Sequence, residues 1–301
     1  MHHSIPTSAT LMANAGRIPK VTVGIPVYNG ERTLHAALDT LLEQSFTDFS
    51  ILISDNGSTD KTSEICLRYA ERDSRIRYIR QPVNLGAEKN FRFLLEQSQS
   101  EYFMWASADD HRSPDFIELN LAFLESNSDY IASISPCRFE DGEFNSIAMG
   151  DFSLTTSLEQ RIKDYFTGWH ANGRYCSLYR REALKTYPAF EKPFLGCDWA
   201  IVLSSVMHGK TNRHADGWVI FGAQGISKQQ NIFRAYRHHW YELFLPFFRL
   251  SVFVYKLSRD FSARTRLQLL EIMLRLNFNA VKMQLERKFR TIRNRAPGLR
   301  K

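Results

Sequence analysis

Two carboxylates stand side by side in the stretch SEYFMWASADDHRSPDF, residues 100–116. Asp109 and Asp110 follow the apolar run Tyr102 to Trp105, which has the composition of a buried strand. Bare carboxylates this close repel, and one is pushed toward its protonated form unless a cation lies between them. The pair is therefore either solvated in a turn or holding something positive. A divalent cation of the Mg2+ or Mn2+ kind suits it. Such an ion prefers hard oxygen ligands and takes one or two protein carboxylates, with substrate phosphates supplying others. Two further polar clusters have the right types to join them. In PVYNGE, residues 26–31, Pro26 and Gly30 fix a turn and Tyr28, beside Asn29, offers an aromatic face on which a nucleobase can stack. Read alone, this is equally a plain strand–helix connection. In SDNGSTD, residues 54–60, Asp55 follows an apolar run directly, where it could accept a hydrogen bond from a base N–H. Ser58 or Asp60 are candidate helix caps in the same cluster.

The elements that must carry these clusters are legible from periodicity. VTVGI (21–25), SILIS (50–54), IRYIR (76–80), YFMWA (102–106) and YIASIS (130–135) read as strands. Between them, Leu34, Leu38, Leu41 and Leu42 recur at helical spacing, and three more helices are expected over STDKTSEICLRYAERD, AEKNFRFLLEQS and DFIELNLAFLES. Ser113-Pro114-Asp115 has the form of a helix start, with Ser113 as N-cap. This alternation implies an α/β fold with a mostly parallel sheet flanked by helices. In such sheets ligands gather outside the carboxyl ends of the strands. The clusters after the first, second and fourth strands thus converge on one edge, with the makings of a nucleoside-diphosphate site. No GxGxxG or GxxxxGK[ST] loop is present, which disfavours a Rossmann dehydrogenase or a P-loop enzyme.

Taken in order, VTVGIPVYNGERTLHAALDTLLEQSFTDFSILISDNGSTDKT, NLGAEKN and WASADD resemble the nucleotide-binding half of family 2 glycosyltransferases of the GT-A fold, from about Val21 to Leu124, with weaker signals to about Lys210. The resemblance implies a sugar-nucleotide donor (UDP by default), a divalent Mn2+ or Mg2+ cofactor and inversion at the anomeric carbon. Residue by residue, it makes Pro26, Tyr28 and Asn29 the base-binding turn and Asp55 the acid that bonds the base. Asn84 and Gly86 become the segment near the nucleotide, Asp109 the acid near the ribose and Asp110 the metal ligand, with Asp109 beside it. Two departures stand out: Asn56 replaces a second acid, and the Asp-x-Asp pattern appears as Ala108-Asp109-Asp110.

An inverting transfer needs a base for the acceptor hydroxyl. The resemblance places it at Asp198, in Gly196-Cys197-Asp198-Trp199, with Asp141, Glu143 and Asp151 as rival acids and a helix N-cap as the plain alternative. Arg180, Arg181, Lys185 and His208 are lesser candidates for diphosphate or acceptor contacts. The Gln-x-x-Arg-Trp motif of processive relatives is missing, so addition of a single sugar is expected.

Charge is unevenly spread. Residues 231–301 hold 16 Lys and Arg against 4 Asp and Glu, whereas the rest holds 23 against 28. A flexible segment (1–20), a catalytic domain (21–230, with a nucleotide half 21–125 and an acceptor half 126–230) and a basic amphipathic helical tail (231–301) are the expected divisions. Leu267, Leu270, Leu274, Phe278, Val281, Leu285, Phe289 and Ile292 lie on one helical face of that tail. LFLPFFRLSVFVYKL (243–257) is apolar but too short to span a bilayer, which takes about 20 residues. An interfacial anchor on an anionic membrane surface is the favoured reading. Together with a polyprenyl-linked or other glycan acceptor, it points to an enzyme peripheral at the cytoplasmic, inner face of the plasma membrane that builds bacterial surface polysaccharide. The four cysteines lack disulfide or zinc spacing and read as reduced cytosolic thiols. Three alternatives remain at this stage: a polyprenyl-phosphate monosaccharide transferase, a nucleic-acid-binding protein gripping phosphates with the tail, and a non-catalytic sugar-binding module. Against nucleic acid stand the poor aromatic–basic interleaving of the tail and an otherwise idle nucleotide site.

Overall fold

The computed structural model describes residues 17–140, 150–167, 172–188, 190, 192–222 and 231–295, with side chains through residue 288. Most of the expected N-terminal segment, together with Asp141, Glu143, Phe289 and Ile292 as side chains, lies outside the described residues. The first strand, β1 (Val21–Val27), is built of β-branched residues that are buried on both faces, as a central parallel strand requires. Helix α1 (Leu34–Leu42) returns the chain to β2 (Phe49–Asp55), α2 (Thr62–Arg72) to β3 (Ile76–Arg80), and α3 (Ala87–Gln97) to β4 (Tyr102–Trp105). All three pairings among these strands are parallel: β1 with β2, β2 with β3 and β1 with β4.

Beyond β4 come the two-residue β5 (His111–Arg112), helix α4 (Phe116–Ser126), β6 (Tyr130–Ile134) and β7 (Cys137–Phe139). Helix α5 (Leu158–Asp164) leads to β8 (Leu178–Arg180), then α6 (Cys197–Val206), β9 (Lys210–Arg213) and β10 (Val219–Phe221). The main sheet has the order β3-β2-β1-β4-β8-β6-β9, and β5, β10 and β7 form a second, three-stranded sheet. Although β4 and β6 are consecutive long strands, they are not neighbours. The three residues of β8 run antiparallel between them, with Tyr179 facing Phe103 on one side and Ala132 on the other.

The start of α4 differs from the expected Ser113 cap. The Ser113 hydroxyl accepts the Trp218 N–H at 3.0 Å. The first-turn N–H of Ile117 donates instead to Gln44 Oε1 at 2.9 Å, and Gln44 Nε2 donates to the Ser113 carbonyl at 2.7 Å. A residue just past α1 thus satisfies the end of α4.

The basic segment is not a free appendage. Helices α7 (Phe248–Leu257) and α8 (Ala263–Arg295) complete a second core: Leu250, Val254, Leu269, Met273 and Ala280 are buried with Trp199, Leu203 and Val206 of α6. The helical face expected to carry contacts is the outer one. Leu267, Leu270, Leu274, Phe278 and Leu285 are exposed, while Thr265, Leu269, Met273, Asn277 and Ala280 form the buried face. Helix α8 has two apolar stripes, and leucine spacing marks the wider one without saying which meets the core. Among the described residues, no helix is long and apolar enough to cross a membrane.

Candidate active site

The register of β1 against β2 pairs Val27 with Asp55, which sets the two turns that follow alongside each other. They are cross-laced. Asn29 N–H donates to Ser58 Oγ at 2.9 Å, Thr59 N–H to Asn29 Oδ1 at 2.8 Å, and Gly30 N–H to Thr62 Oγ1 at 2.8 Å. Asp60 accepts from the backbone of Glu31 and of Thr62. Asn29 takes a left-handed conformation, φ 52°, which asparagine tolerates because its side chain bonds locally. Pro26 lies inside β1, and Tyr28 stands half-exposed at the tip of the turn.

Asp55 is engaged within its own turn. It is 0% exposed, and its oxygens accept from Ser58 N–H (2.8 Å), Ser63 Oγ (2.8 Å) and Tyr78 Oη (2.9 Å), with Arg80 Nε at 3.9 Å. Burial alone would raise its pKa, but the bonds from Ser58, Ser63 and Tyr78 outweigh it and hold the carboxyl below its usual range. A carboxylate so engaged shapes the turn. Its neighbour Asn56 reaches further: Nδ2 donates to Asn84 Oδ1 (3.0 Å) and the Gly86 carbonyl (3.3 Å), and Oδ1 accepts from Leu85 N–H (2.8 Å). Asn56 therefore gathers Asn84 and Gly86 onto the same edge. Gly86 has φ 87°, so a side chain there would be strained even though space is open.

The two acids after β4 are sharply unlike. Asp110 is 3% exposed. Its Oδ1 accepts Gly222 N–H at 3.3 Å, and its Oδ2 lies 3.6 Å from Nη2 of Arg112, itself fully buried. Desolvation raises its pKa, opposed by the Arg112 charge and the Gly222 bond. Asp109 is partly buried and lies directly against the Cα of Gly222, where a Cβ would come within 2.6 Å of Asp109 Cβ and Cγ and overlap its carbonyl oxygen. The expected metal ligand, Asp110, thus faces inward onto an arginine, a poor arrangement for a cation. Asp109 is the less buried of the two carboxylates. Among the described residues, no group of three or more His, Cys, Asp or Glu is assembled for a metal. One carboxylate nevertheless suits a hard divalent ion that draws its other oxygens from diphosphate and water.

Asp198 opens α6 after Gly196, whose φ is 87°. Asn172 Nδ2 donates to Asp198 Oδ2 at 3.0 Å, and Tyr165 Oη donates to Asn172 Oδ1 at 2.9 Å. Asp198 keeps a window to solvent, yet it is surrounded closely enough that desolvation raises its pKa, with the Asn172 bond and first-turn N–H of Trp199 opposing. Cys176 ties the two sides together. Burial pushes its thiol up, and the charges of Asp110, Asp109 and Asp198 all add to that effect. Residues 172–176 therefore link the turn after β4 to the start of α6: Cys176 Sγ lies 4.0 Å from Asp110 Oδ2, and Asn172 bonds Asp198.

Of the rival acids, Asp141 and Glu143 lie outside the described residues, and Asp151 is committed elsewhere. Asp151 is buried in an ion pair with Arg213 at 3.0 Å and also accepts Cys137 N–H. Arg180 donates to the carbonyls of Tyr130 and Leu124, Arg181 to that of Ser100, and Lys185 pairs with Glu182. His208 meets Thr186. The sequence reading missed Arg112, Gly222, Tyr165 and Asn172. Only Asn172-Gly173 carried a signal, that of a turn.

This mostly parallel α/β sheet flanked by helices is of the GT-A type. The description "Glycosyl transferase family 2" matches residues 22–187, and the chain belongs to that family. Among curated relatives, the glycosyltransferase GlyA of Streptococcus pneumoniae is 36% identical over 100 residues, covering 33% of this chain and 14% of the relative. EpsH of Bacillus subtilis is 28% identical over 171 residues, covering 56% and 49%. The chain thus spans less than half the length of these relatives. Of solved structures, Staphylococcus aureus TarS 1–349 in complex with UDP-GlcNAc superposes with a TM-score of 0.65 at 16% identity, over 85% of this chain and 71% of that one. The mannosyltransferase PcManGT of Pyrobaculum calidifontis, in complex with GDP-Man and Mn2+, gives 0.56 at 15% identity over 93% and 81%. At these identities the likeness establishes the fold.

Proposed function

We propose that the chain is an inverting hexosyltransferase that moves one sugar from a nucleoside-diphosphate sugar, UDP by default, to a glycan acceptor on a polyprenyl-type lipid carrier. Its place is surface-polysaccharide synthesis, at the inner face of the plasma membrane, with residues 231–301 meeting an anionic surface. The single observation that carries this reading is that residues 172–176 join the acidic turn after β4 to Asp198 of α6, Cys176 Sγ lying 4.0 Å from Asp110 Oδ2 and Asn172 bonding Asp198. Tyr28 supplies the stacking face, while Pro26, Asn29 and Asp55 hold the turn under it, and Asn84 and Gly86, held by Asn56, border the nucleotide.

Asp109 is the residue that would hold Mn2+ or Mg2+, and such an ion, when bound, neutralises charge gathering on the leaving diphosphate. Asp198 takes the proton of the acceptor hydroxyl. That oxygen bonds to the anomeric carbon as the carbon–oxygen bond to the diphosphate breaks, the electron pair leaving with the diphosphate, and configuration inverts. Burial raises the proton affinity of Asp198, which suits a base working near neutral pH. Asn172, fixed by Tyr165, points the carboxylate.

A thermal-shift screen of UDP, GDP and dTDP sugars with and without Mn2+ tests the donor half. Stabilisation by one nucleotide class that EDTA reverses is the expected result; no shift with any donor would sink it. Transfer of radiolabelled sugar to a glycan-bearing carrier, against bare polyprenyl phosphate, tests the acceptor half.

A further inference from the structure

The outer face of α7 and α8 has no partner within the described chain. On α8, Leu267 (68% exposed), Leu270, Leu274, Phe278 (71%) and Leu285 form one stripe along five turns. On α7, Phe248, Val252 and Tyr255 form a second, spaced four and three residues apart. The stripes join where the Arg266 guanidinium lies over the Tyr255 ring, 5.4 Å from its centroid. Trp240 (79%) and Phe244, just before α7, are also exposed. At about 100° per residue, Arg264, Arg275 and Lys282 fall on one shoulder of the α8 stripe and Arg266 and Lys288 on the other. The first shoulder also holds Glu271, paired with Arg275, and Glu286 beside Lys282, so three basic residues face two acids there and the shoulder keeps a net positive charge.

An apolar stripe between two basic shoulders matches one kind of surface, that of a bilayer with anionic headgroups. Rings and leucines enter the headgroup boundary while arginine and lysine stems reach back to the phosphates. A second copy of the chain fits poorly, because packing stripe on stripe would set basic shoulder against basic shoulder in either direction.

The platform is also coupled to the cleft. Asn277, buried in α8, accepts Phe247 N–H at 2.8 Å and donates to Ser251 Oγ at 3.2 Å on α7. Leu250 and Phe247 in turn press on Gly196, where a Cβ would meet them at 3.0 and 3.3 Å. Two residues on stands Asp198. We infer that the outer face of α7–α8 is a lipid-docking platform that seats in an anionic bilayer and holds the Asp198 cleft at a set height above it. The acceptor half of this inference rests on the glycosyltransferase reading; the docking half does not.

Flotation of the full chain with vesicles of phosphatidylcholine, with and without phosphatidylglycerol, tests it. The protein is expected to float with the anionic vesicles only, less so at high salt. Leu270→Asp with Phe278→Asp is expected to cut the bound fraction about tenfold, as is Arg264→Glu with Lys282→Glu, a pair that leaves the apolar stripe whole. Both variants should hydrolyse donor in solution at the wild-type rate yet transfer about tenfold less sugar to a lipid-linked acceptor in vesicles. Wild-type protein that stays off both vesicles, variants that float unchanged, or a dimer that the Asp variant splits without any vesicle effect would each overturn the platform. Equal loss of hydrolysis and transfer would overturn the coupling. Normal flotation with no donor turnover would remove the catalytic reading and leave the platform standing.

Discussion

Asp109 and Asp110 share a side-chain type and differ in everything their surroundings impose. Asp109→Ala should leave folding nearly unchanged and reduce Mn2+-dependent donor turnover at least about 100-fold, measured as kcat against metal concentration. Asp110→Ala should act in the opposite sense. It strands the buried Arg112 charge, which costs about 3–5 kcal/mol, read by urea denaturation. If the two variants behave alike, the division between a metal-facing and an inward carboxylate is wrong. Asp198 gives a pH signature. Its folded pKa is raised, so the stability it contributes is complete below the unfolded carboxylate range, about 4, and is lost as pH rises through the folded value. Asp198→Asn should therefore melt higher than wild type at pH 7, with the gain vanishing toward pH 4, while transfer is abolished. In the wild type, kcat/KM should fall as pH drops through that raised pKa, on a limb above the usual carboxylate range. A limb at an ordinary carboxylate position would mean that Asp198 is not the base.

Among the elements, the decisive contact is the end of β10 on the turn after β4. Gly222 has no room for a Cβ against Asp109, and its N–H serves Asp110. Gly222→Ala should raise the metal concentration needed for half-maximal turnover several-fold, by moving Asp109, with a smaller effect on stability than Asp110→Ala. A metal titration of the variant settles the point. The same logic governs the helices. Replacing Asn277 with Ala leaves Phe247 N–H unpaired in the second core and should cost about 1–3 kcal/mol. None of these partners is close in sequence: Gly222, just past β10, lies 112 residues from Asp110, and Asn277 lies 30 from Phe247. Periodicity locates β1, β2 and α1 because long buried elements repeat their pattern. It passes over β5, β8 and β10, which are two or three residues long and show no period.

At the scale of the whole molecule, the basic segment is both core and surface. A chain cut at residue 230 would uncover the apolar face of α6, from Trp199 to Val206, and should aggregate or lose its near-ultraviolet dichroism rather than persist as a free catalytic domain. A soluble, two-state fragment would show that α7 and α8 are dispensable to folding.

By itself the sequence determined the α/β architecture, the strand ends on which the polar clusters lie and the family, since these follow from local patterning and from motifs in a fixed order. It also named the acids Asp109, Asp110 and Asp198. Which acid is buried against Arg112, what holds Asp55, and which stripe of α8 turns inward were decided by tertiary structure alone. Burial and ion pairing are properties of what packs against a residue, and Arg112, Gly222, Asn172 and α6 reach those positions only once the chain has folded.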